Sequence, residues 1–395
     1  MKIVKVIHGF PPDYMAGSEV YSYHLVKALR SQGEDVSVFT SVENAFDPEY
    51  KVYDECYQNI PVRRVNKFRR DYQYQHKFYD SQMDGLFKAY LEELKPDLVH
   101  FGHLSHLSTQ LIPIAKQKYG LPIVFTIHDF WMFCVKGQLI NQDGKICQSP
   151  SVDRCLACSP YHPTKSEVEK TLQHMQSVID WVDIFLSPSH TLRDFYLKQG
   201  VPEEKVVYSK YGFDTRKINY RPKTYTQQSK IKFGFMGRII PTKGIRVLID
   251  AFKNIDATLN IYGQIGQEKR FLQFDNIHFK GGYDNHSIQS VLANIDVLIV
   301  PSLWYENSPL VIQEAFLAGI PVITSNLGGM KELVNDGING YLFEVGNAQS
   351  LQNVVLQITA NPVMLNSLTV SKQEVIDIQE DAQFVRQIYH QVKNQ

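Results

Sequence analysis

The chain has 395 residues, too many for one ordinary hydrophobic core, and length alone implies roughly two to three domains. Hydrophobic residues make up 44% and charged residues 21%, the balance of a soluble globular protein, while 41 Lys plus Arg against 41 Asp plus Glu leave no formal charge. That neutrality argues against nucleic acid as the main partner, because a phosphate backbone demands a basic surplus. No run approaches the roughly 18 apolar residues that a bilayer-crossing helix needs. The opening Met1–His8 reads as a strand and is too interrupted for a signal peptide. The expected location is therefore the cytoplasm, the inner face of a membrane included.

Taken in chain order, the amino half alternates strand and helix. Strands are expected at Lys2–His8, Asp35–Thr40, Pro96–Phe101, Leu121–Ile127 and Val182–Ser187, with helices at Gly17–Gln32, Gln82–Leu94 and Ser166–Trp181. The polar stretch 214–230, with Pro222 and little apolar content, reads as a linker. The alternation then restarts with a strand at Ile231–Met236 and a helix at Gly244–Asn254 whose Ile245, Leu248, Ile249 and Phe252 share one face. Strands follow at Leu259–Tyr262, Ile277–Phe279, Val297–Val300, Pro321–Thr324 and Tyr341–Phe343, and a last helix at Ile378–Val392 has Phe384, Val385 and Ile388 as its apolar stripe. This alternation predicts an α/β protein with two doubly wound, Rossmann-like domains and a crevice between them. The expected division is 1–213, a linker 214–230, 231–375 and a terminal helical segment 376–395.

Two glutamates eight positions apart, Glu306 and Glu314, flank a strand-to-helix junction reading Glu306-Asn307-Ser308-Pro309-Leu310. Ser308 is a good N-cap and Pro309 a good first helical residue, so a helix is expected to start there. Its free N–H groups would point into the carboxyl edge of a parallel sheet, where polar ligands bind. Carboxylates at that edge suit hydroxyl-rich groups such as a ribose and a second sugar. Upstream, Gly237-Arg238-Ile239-Ile240-Pro241-Thr242-Lys243-Gly244 follows the first strand of the second domain. Thr242 is expected to cap the next helix, leaving Arg238 and Lys243 as a diphosphate clamp, fork and point charge. The alternative is a pair of solvated surface charges.

The order Gly-Arg-x-x-x-x-Lys-Gly and then Glu-x(7)-Glu resembles the retaining glycosyltransferases of family four, which have the GT-B fold. The resemblance extends over most of the chain. It takes in Phe10-Pro11-Pro12 with Gly17, Thr126-Ile127-His128-Asp129, Pro301-Ser302, Ala315-x-x-Ala318-Gly319-x-Pro321-Val322, Gly328-Gly329 and Asp336-Gly337-x-x-Gly340. Two departures stand out: Ala16-Gly17 replaces a glycine pair, and Lys331 stands where a proline is common.

The resemblance implies roles residue by residue. Arg238 and Lys243 would bind the donor diphosphate and stabilise the leaving phosphate. Glu306 would meet hydroxyls of the transferred sugar, helped by the N–H groups of Asn307, Ser308 and Leu310. Glu314 would accept from the ribose. Gly17 would let backbone approach the diphosphate, Gly237 would belong to the donor site, and the base would lie near Gly263 and Gly281-Gly282-Tyr283. A histidine ending a buried strand is by itself commonly structural, but the resemblance gives His128 a positioning and phosphate-stabilising role and leaves Asp129 to orient. The last helix would return to the amino-terminal domain. No metal is required for catalysis, because two cations supply the charge. The implied activity is transfer of a hexose from a nucleotide-diphosphate sugar, UDP-glucose or a related UDP-sugar, to a glycan or lipid-linked acceptor in surface polysaccharide synthesis. Rival readings are a non-catalytic sugar-nucleotide-binding subunit and a UDP-sugar epimerase of the same fold.

Two features stand outside this scheme. Four of the five cysteines cluster, Cys134, Cys147, Cys155 and Cys158, a pattern that fits a structural zinc or a set of free thiols, with Cys56 apart. Between Arg63 and Phe78, the cations Arg63, Arg64, Lys67, Arg69, Arg70 and Lys77 interleave with Phe68, Tyr72 and Tyr74. That patch reads either as peripheral contact with an anionic membrane surface or as a solvated face.

Overall fold

The computed structural model describes residues 1–68, 78–134, 136–159, 162–264, 274–284 and 287–394. The chain divides into two compact units, one formed by Met1–Gly212 with Asp377–Gln395 and the other by Phe213–Ile376.

The first unit carries β1 (Lys2–Val6), β2 (Asp35–Val42), β3 (Val52–Tyr57), β4 (Ile60–Asn66), β5 (Leu98–Phe101), β6 (Ile123–Thr126), β7 (Ile184–Ser187) and β8 (Val206–Tyr208). Their order is β3-β4-β2-β1-β5-β6-β7-β8. Every described pairing is parallel except that of β3 with β4. Strands β5, β6 and β7 are buried at every position, the pattern of strands covered on both faces. The β3–β4 hairpin was not legible in the sequence. Its turn sets Gln58 and Asn59 at φ 51° and 65°, a double left-handed turn usually signalled by Asn-Gly. The chain leaves β1 toward β2 and later returns to β1's other side as β5, so this sheet reverses direction between β1 and β5.

The second unit has β9 (Lys232–Met236), β10 (Thr258–Tyr262), β11 (Ile277–Gly281), β12 (Val297–Val300), β13 (Val322–Ser325) and β14 (Gly340–Phe343), in the order β11-β10-β9-β12-β13-β14. All described pairings are parallel. Helix Ile245–Phe252 buries the expected Ile245, Leu248, Ile249 and Phe252 beside Phe233, Leu259, Val297 and Leu351. Each such fully buried side chain contributes roughly 1.5–3 kcal/mol. This sheet reverses between β9 and β12.

Residues 214–230 are not a free-standing linker but part of the second unit. Tyr225 lies in its core and exchanges backbone bonds with the Asn366 side chain, at 2.9 Å from its N–H and 2.8 Å to its carbonyl. Lys223 pairs with Asp296 at 2.7 Å. Polar composition here reflects docking through hydrogen bonds, which an apolar pattern does not register.

The last helix, Ile378–Lys393, belongs to the first unit and is capped by Asp377, which accepts the Gln379 N–H at 2.9 Å. Its buried face is Ile378, Asp381, Ala382, Val385, Ile388, Tyr389 and Val392. Phe384, expected on that stripe, is exposed instead. Among the described residues no helix is long and apolar enough to cross a membrane.

Candidate functional site

In an open parallel sheet, ligands gather at the carboxyl ends of strands where the order reverses. In the second unit that point brings together the loops after β9 and β12. Gly237 follows β9 and donates its N–H to Tyr262 O at 3.0 Å, and a Cβ on Gly263 would lie 1.9 Å from Gly237 O. Gly244, at φ 74°, lies so close to the other loop that a Cβ would sit 1.8 Å from Pro301 O. Leu303 N–H donates to Thr242 O at 2.9 Å.

Two expected caps move. Pro241–Lys243 forms a single tight turn, and the left-handed Gly244, not Thr242, precedes the helix. Helix Leu310–Ala318 starts one residue later than expected, with Pro309 as its N-cap at ψ 118°. The Ser308 hydroxyl caps nothing; it is buried with no hydrogen-bond partner among the described residues.

The structure joins two of the expected site residues directly. Lys243 Nζ lies 2.5 Å from Glu306 Oε1, which also accepts from Ser302 Oγ at 2.8 Å. The same ammonium stands 5.6 Å from the Trp304 ring centre, within cation–π reach. Arg238, at the β9 tip, is exposed. The glycine pair has a physical role: Gly329 N–H donates to Glu306 O at 2.7 Å, and a Cβ there would fall 1.7 Å from Asn307 O. Glu314 is half-buried, and burial pushes its carboxyl up to about 7, with Lys217 pulling the other way. Burial, and then the Glu314 charge, push the Tyr283 hydroxyl well above its usual range. Gly263 N–H donates to Gly281 O at 2.8 Å, bringing the two glycine turns of the expected base region side by side.

In the first unit, β1, β5 and β6 are neighbours, and histidines follow all three: His8, His103 and His128. His8 N–H donates to His103 O at 2.9 Å, and their rings lie 4.7 Å apart. Helix Gly17–Ser31 starts at the expected Gly17 after Ala16, which provides no side-chain cap. Its first turn holds Glu19, 3.1 Å from His8 Nε2. Burial opposes the Glu19 charge, but hydrogen bonding and charge from His8 outweigh it and bring the carboxyl down to about 2. His128 Nδ1 lies 2.5 Å from Tyr211 Oη. Burial first, then Lys5, His103 and His8, hold its imidazole well below the usual range, so it is neutral at pH 7. Gly102 lies against it; a Cβ there would be 3.2 Å from Nε2. Asp129 spends one oxygen on His103 Nε2 at 3.1 Å and the other on Trp131 N–H at 2.8 Å.

Beneath these loops runs a buried polar network that sequence reasoning missed. Asp381 accepts from Gly212 N–H at 2.9 Å and Tyr21 Oη at 3.0 Å, and Tyr21 stacks on Tyr211 at 4.0 Å. Lys5, wholly buried, is lowered to about 7 by desolvation against the pull of Asp381. His100 bridges Tyr389 Oη at 2.5 Å and Thr126 Oγ1 at 2.7 Å. Only the histidines after three strands could have signalled any of this.

The cationic patch does not stand free. Arg63 pairs with Asp54 and Glu93, Arg64 with Asp13 and Glu55, and Lys67 with Asp80, while Phe78 is buried. The three described cations thus have partners within the protein; Arg69, Arg70, Tyr72, Tyr74 and Lys77 lie outside the described residues. Cys134, Cys147, Cys155 and Cys158 are free thiols that line one cavity. Among the described residues no group of three or more His, Cys, Asp or Glu side chains is arranged to hold a metal ion.

Two Rossmann-like units with charged loops at one switch point and histidine loops at the other define a glycosyltransferase of GT-B architecture. The model of Glycosyltransferase Family 4 matches residues 15–217, and that of glycosyl transferases group 1 matches 216–374. The chain belongs to glycosyltransferase family 4. An uncharacterized glycosyltransferase of Methanocaldococcus jannaschii is 24% identical over 362 residues, covering 90% of this chain and 88% of the relative. An uncharacterized 41.2 kDa protein in the cps region of Klebsiella pneumoniae is 31% identical over 271 residues, 64% of this chain and 74% of that protein. Among solved structures, sucrose-phosphate synthase from Thermosynechococcus elongatus superposes with a TM-score of 0.75 at 20% identity, covering 99% of both chains. Anabaena HepE in complex with UDP and glucose gives 0.70 at 18% identity, again over 99% of both.

Proposed function

We propose that this glycosyltransferase moves a hexose with retention of configuration from a UDP-sugar, UDP-glucose or a close relative, to a glycan or lipid-linked acceptor of a surface polysaccharide. The observation that carries the reading is the Lys243–Glu306 pair, with Arg238 at the neighbouring strand tip. A lone cation there would suit any anion. A cation coupled to a carboxylate suits a ligand that presents phosphate and sugar hydroxyls together.

On this reading the diphosphate takes Lys243 and Arg238, and the sugar hydroxyls replace the lysine on Glu306. Each charged partner thus exchanges one counterpart for another, which limits its desolvation cost. Glu314 accepts from the ribose, with Tyr283 beside it. The bond from the anomeric carbon to the β-phosphate oxygen breaks, and the acceptor oxygen bonds to the same face. The acceptor proton passes to the departing phosphate oxygen. Arg238 and Lys243 stabilise the charge that grows there, so no divalent cation is needed. His128, kept neutral by burial, donates a hydrogen bond to sugar or phosphate. The Klebsiella relative in a cps region and the UDP-bound structural neighbour support the choice of donor and pathway.

A thermal-shift screen across nucleotide sugars tests the donor, since a ligand at 100 times its Kd stabilises by roughly 2.7 kcal/mol. Product from the best donor is then read by NMR for anomeric configuration. An inverted product, or stabilisation by no UDP-sugar, counts against the proposal.

A further inference from the structure

Between β6 and helix Lys165–Asp180 the chain makes a long excursion whose first part is anchored by the buried Phe130, Trp131, Met132, Phe133, Leu139 and Ile140, and whose second part has no core of its own. Residues 141–158 include none that is buried. Apolar burial, which holds the two sheets, therefore contributes little here. Small segments that keep one shape without a core are usually stapled by disulfides or a metal.

The local backbone brings four cysteines to the wall of one cavity. Cys134 sits in a tight turn closed by Gly137 N–H on Cys134 O at 2.7 Å, with Gly137 at φ 74°. A small hairpin follows, bridged at Ile140 and Ile146, and Cys147 leaves it with its N–H on Leu139 O at 2.6 Å. Helix Val152–Cys158, capped by Ser151, carries Cys155 and Cys158 three residues apart and so on one face. All four cysteines line a single cavity of about 400 Å³, and Arg154 lines it too.

We infer that Cys134, Cys147, Cys155 and Cys158 form a structural site for one zinc ion. A turn, a hairpin exit and one helical turn each bring a cysteine to the lining of the same cavity, and Zn²⁺ in structural sites takes four such ligands tetrahedrally. As placed, no three of the four are grouped closely enough to hold an ion, so the thiols must turn into the cavity to bind it. Cys147 Sγ now donates to Ser149 O at 3.2 Å and Cys158 Sγ to Ile140 O at 3.6 Å. Each weak bond is exchanged for a zinc–sulfur bond of about 2.3 Å, and the four protons pass to solvent. The resulting site carries two negative charges, and Arg154 is the cation at hand. The staple would steady the loop that carries His128 and Asp129. Phe130 N–H donates to Gly137 O at 3.1 Å, and Gly137 lies against Asp129.

The test is metal content and thiol reactivity of the full chain purified without added zinc. About one zinc per chain is expected, with only the exposed Cys56 reacting rapidly and five thiols reacting after chelation. Cys155→Ser/Cys158→Ser should lose the zinc. Should that variant misfold, wild-type protein exchanged with cobalt should show near-ultraviolet thiolate charge transfer and strong visible bands of tetrahedral geometry. No zinc bound even when supplied, with five freely reacting thiols, overturns the inference. So does a pair of disulfides among the four cysteines.

Discussion

The two switch points solve opposite problems with the same topology. After β9 and β12 the second unit sets charge at the surface: an exposed Arg238 and a Lys243 held against Glu306 and Ser302. After β1, β5 and β6 the first unit sets imidazoles, and it holds His128 neutral over a buried layer of Lys5, Tyr21, Tyr211 and Asp381. Charge near the surface is cheap to maintain and strong once a ligand excludes water. A neutral ring held by packing needs no counterion and is fixed by geometry. On the proposed reading, one sheet edge serves electrostatics and the other positioning.

The comparison breaks most visibly if the charges of the second unit prove dispensable. Lys243→Ala and Arg238→Ala each should lower turnover by ~100-fold or more, because the charge they meet grows as the glycosidic bond breaks. Steady-state kinetics reads this, and a change confined to KM would reduce the pair to ground-state binding.

Glu306→Gln should cost turnover ~10-fold or more and leave UDP affinity nearly unchanged, since its assigned contact is with the sugar. Calorimetry with UDP alone checks it. Lost UDP binding would move Glu306 to the nucleotide.

Glu314 gives the comparison a pH axis. Its carboxyl stands near 7 in the free protein, and on the proposed reading the ionised form is the stronger acceptor for ribose hydroxyls. Below that value a proton must be removed for binding; above it none is needed. Affinity for the intact donor, whose diphosphate does not titrate there, should be full above pH 7. It should weaken by up to about tenfold per unit as pH falls. Glu314→Gln should bind more weakly and without that slope. A wild-type affinity that stays flat from pH 8 to pH 6 excludes the assignment.

The smallest effect belongs to the first unit. Tyr211→Phe removes one hydrogen bond from His128, worth about 1 kcal/mol, so kcat should drop roughly fivefold. Burial keeps the ring neutral in both proteins, and neither pH–rate profile should bend between pH 6 and 8 on account of His128. An inflection near pH 6.5 that His128→Asn abolishes would show a titrating imidazole instead.

Much of this was readable before any fold was known. The strands of the second unit are short apolar runs, the helix Ile245–Phe252 carries its stripe at helical spacing, and the site residues follow strand ends in fixed order. The caps were not readable. Thr242 and Ser308 are good capping residues in isolation, yet Gly244 and Pro309 hold those positions, in loops packed closely at Gly244 against Pro301 and at Gly329 against Asn307. Phe384 was misplaced because Asp381 and Tyr389, polar-tipped residues, occupy the buried face that apolarity alone was expected to mark.

By itself the sequence marked the buried strands and the main amphipathic helices, though not the β3–β4 hairpin, and which loops carry charge, since hydrophobic period and residue type are local properties. Tertiary structure alone decided that Lys243 meets Glu306 across 63 positions, and that Asp381 and Tyr21 meet across 360. It likewise decided that residues 214–230 dock instead of dangling. Pairings at such separation depend on how sheets order their strands and on where buried polar groups find partners, and no local pattern encodes either.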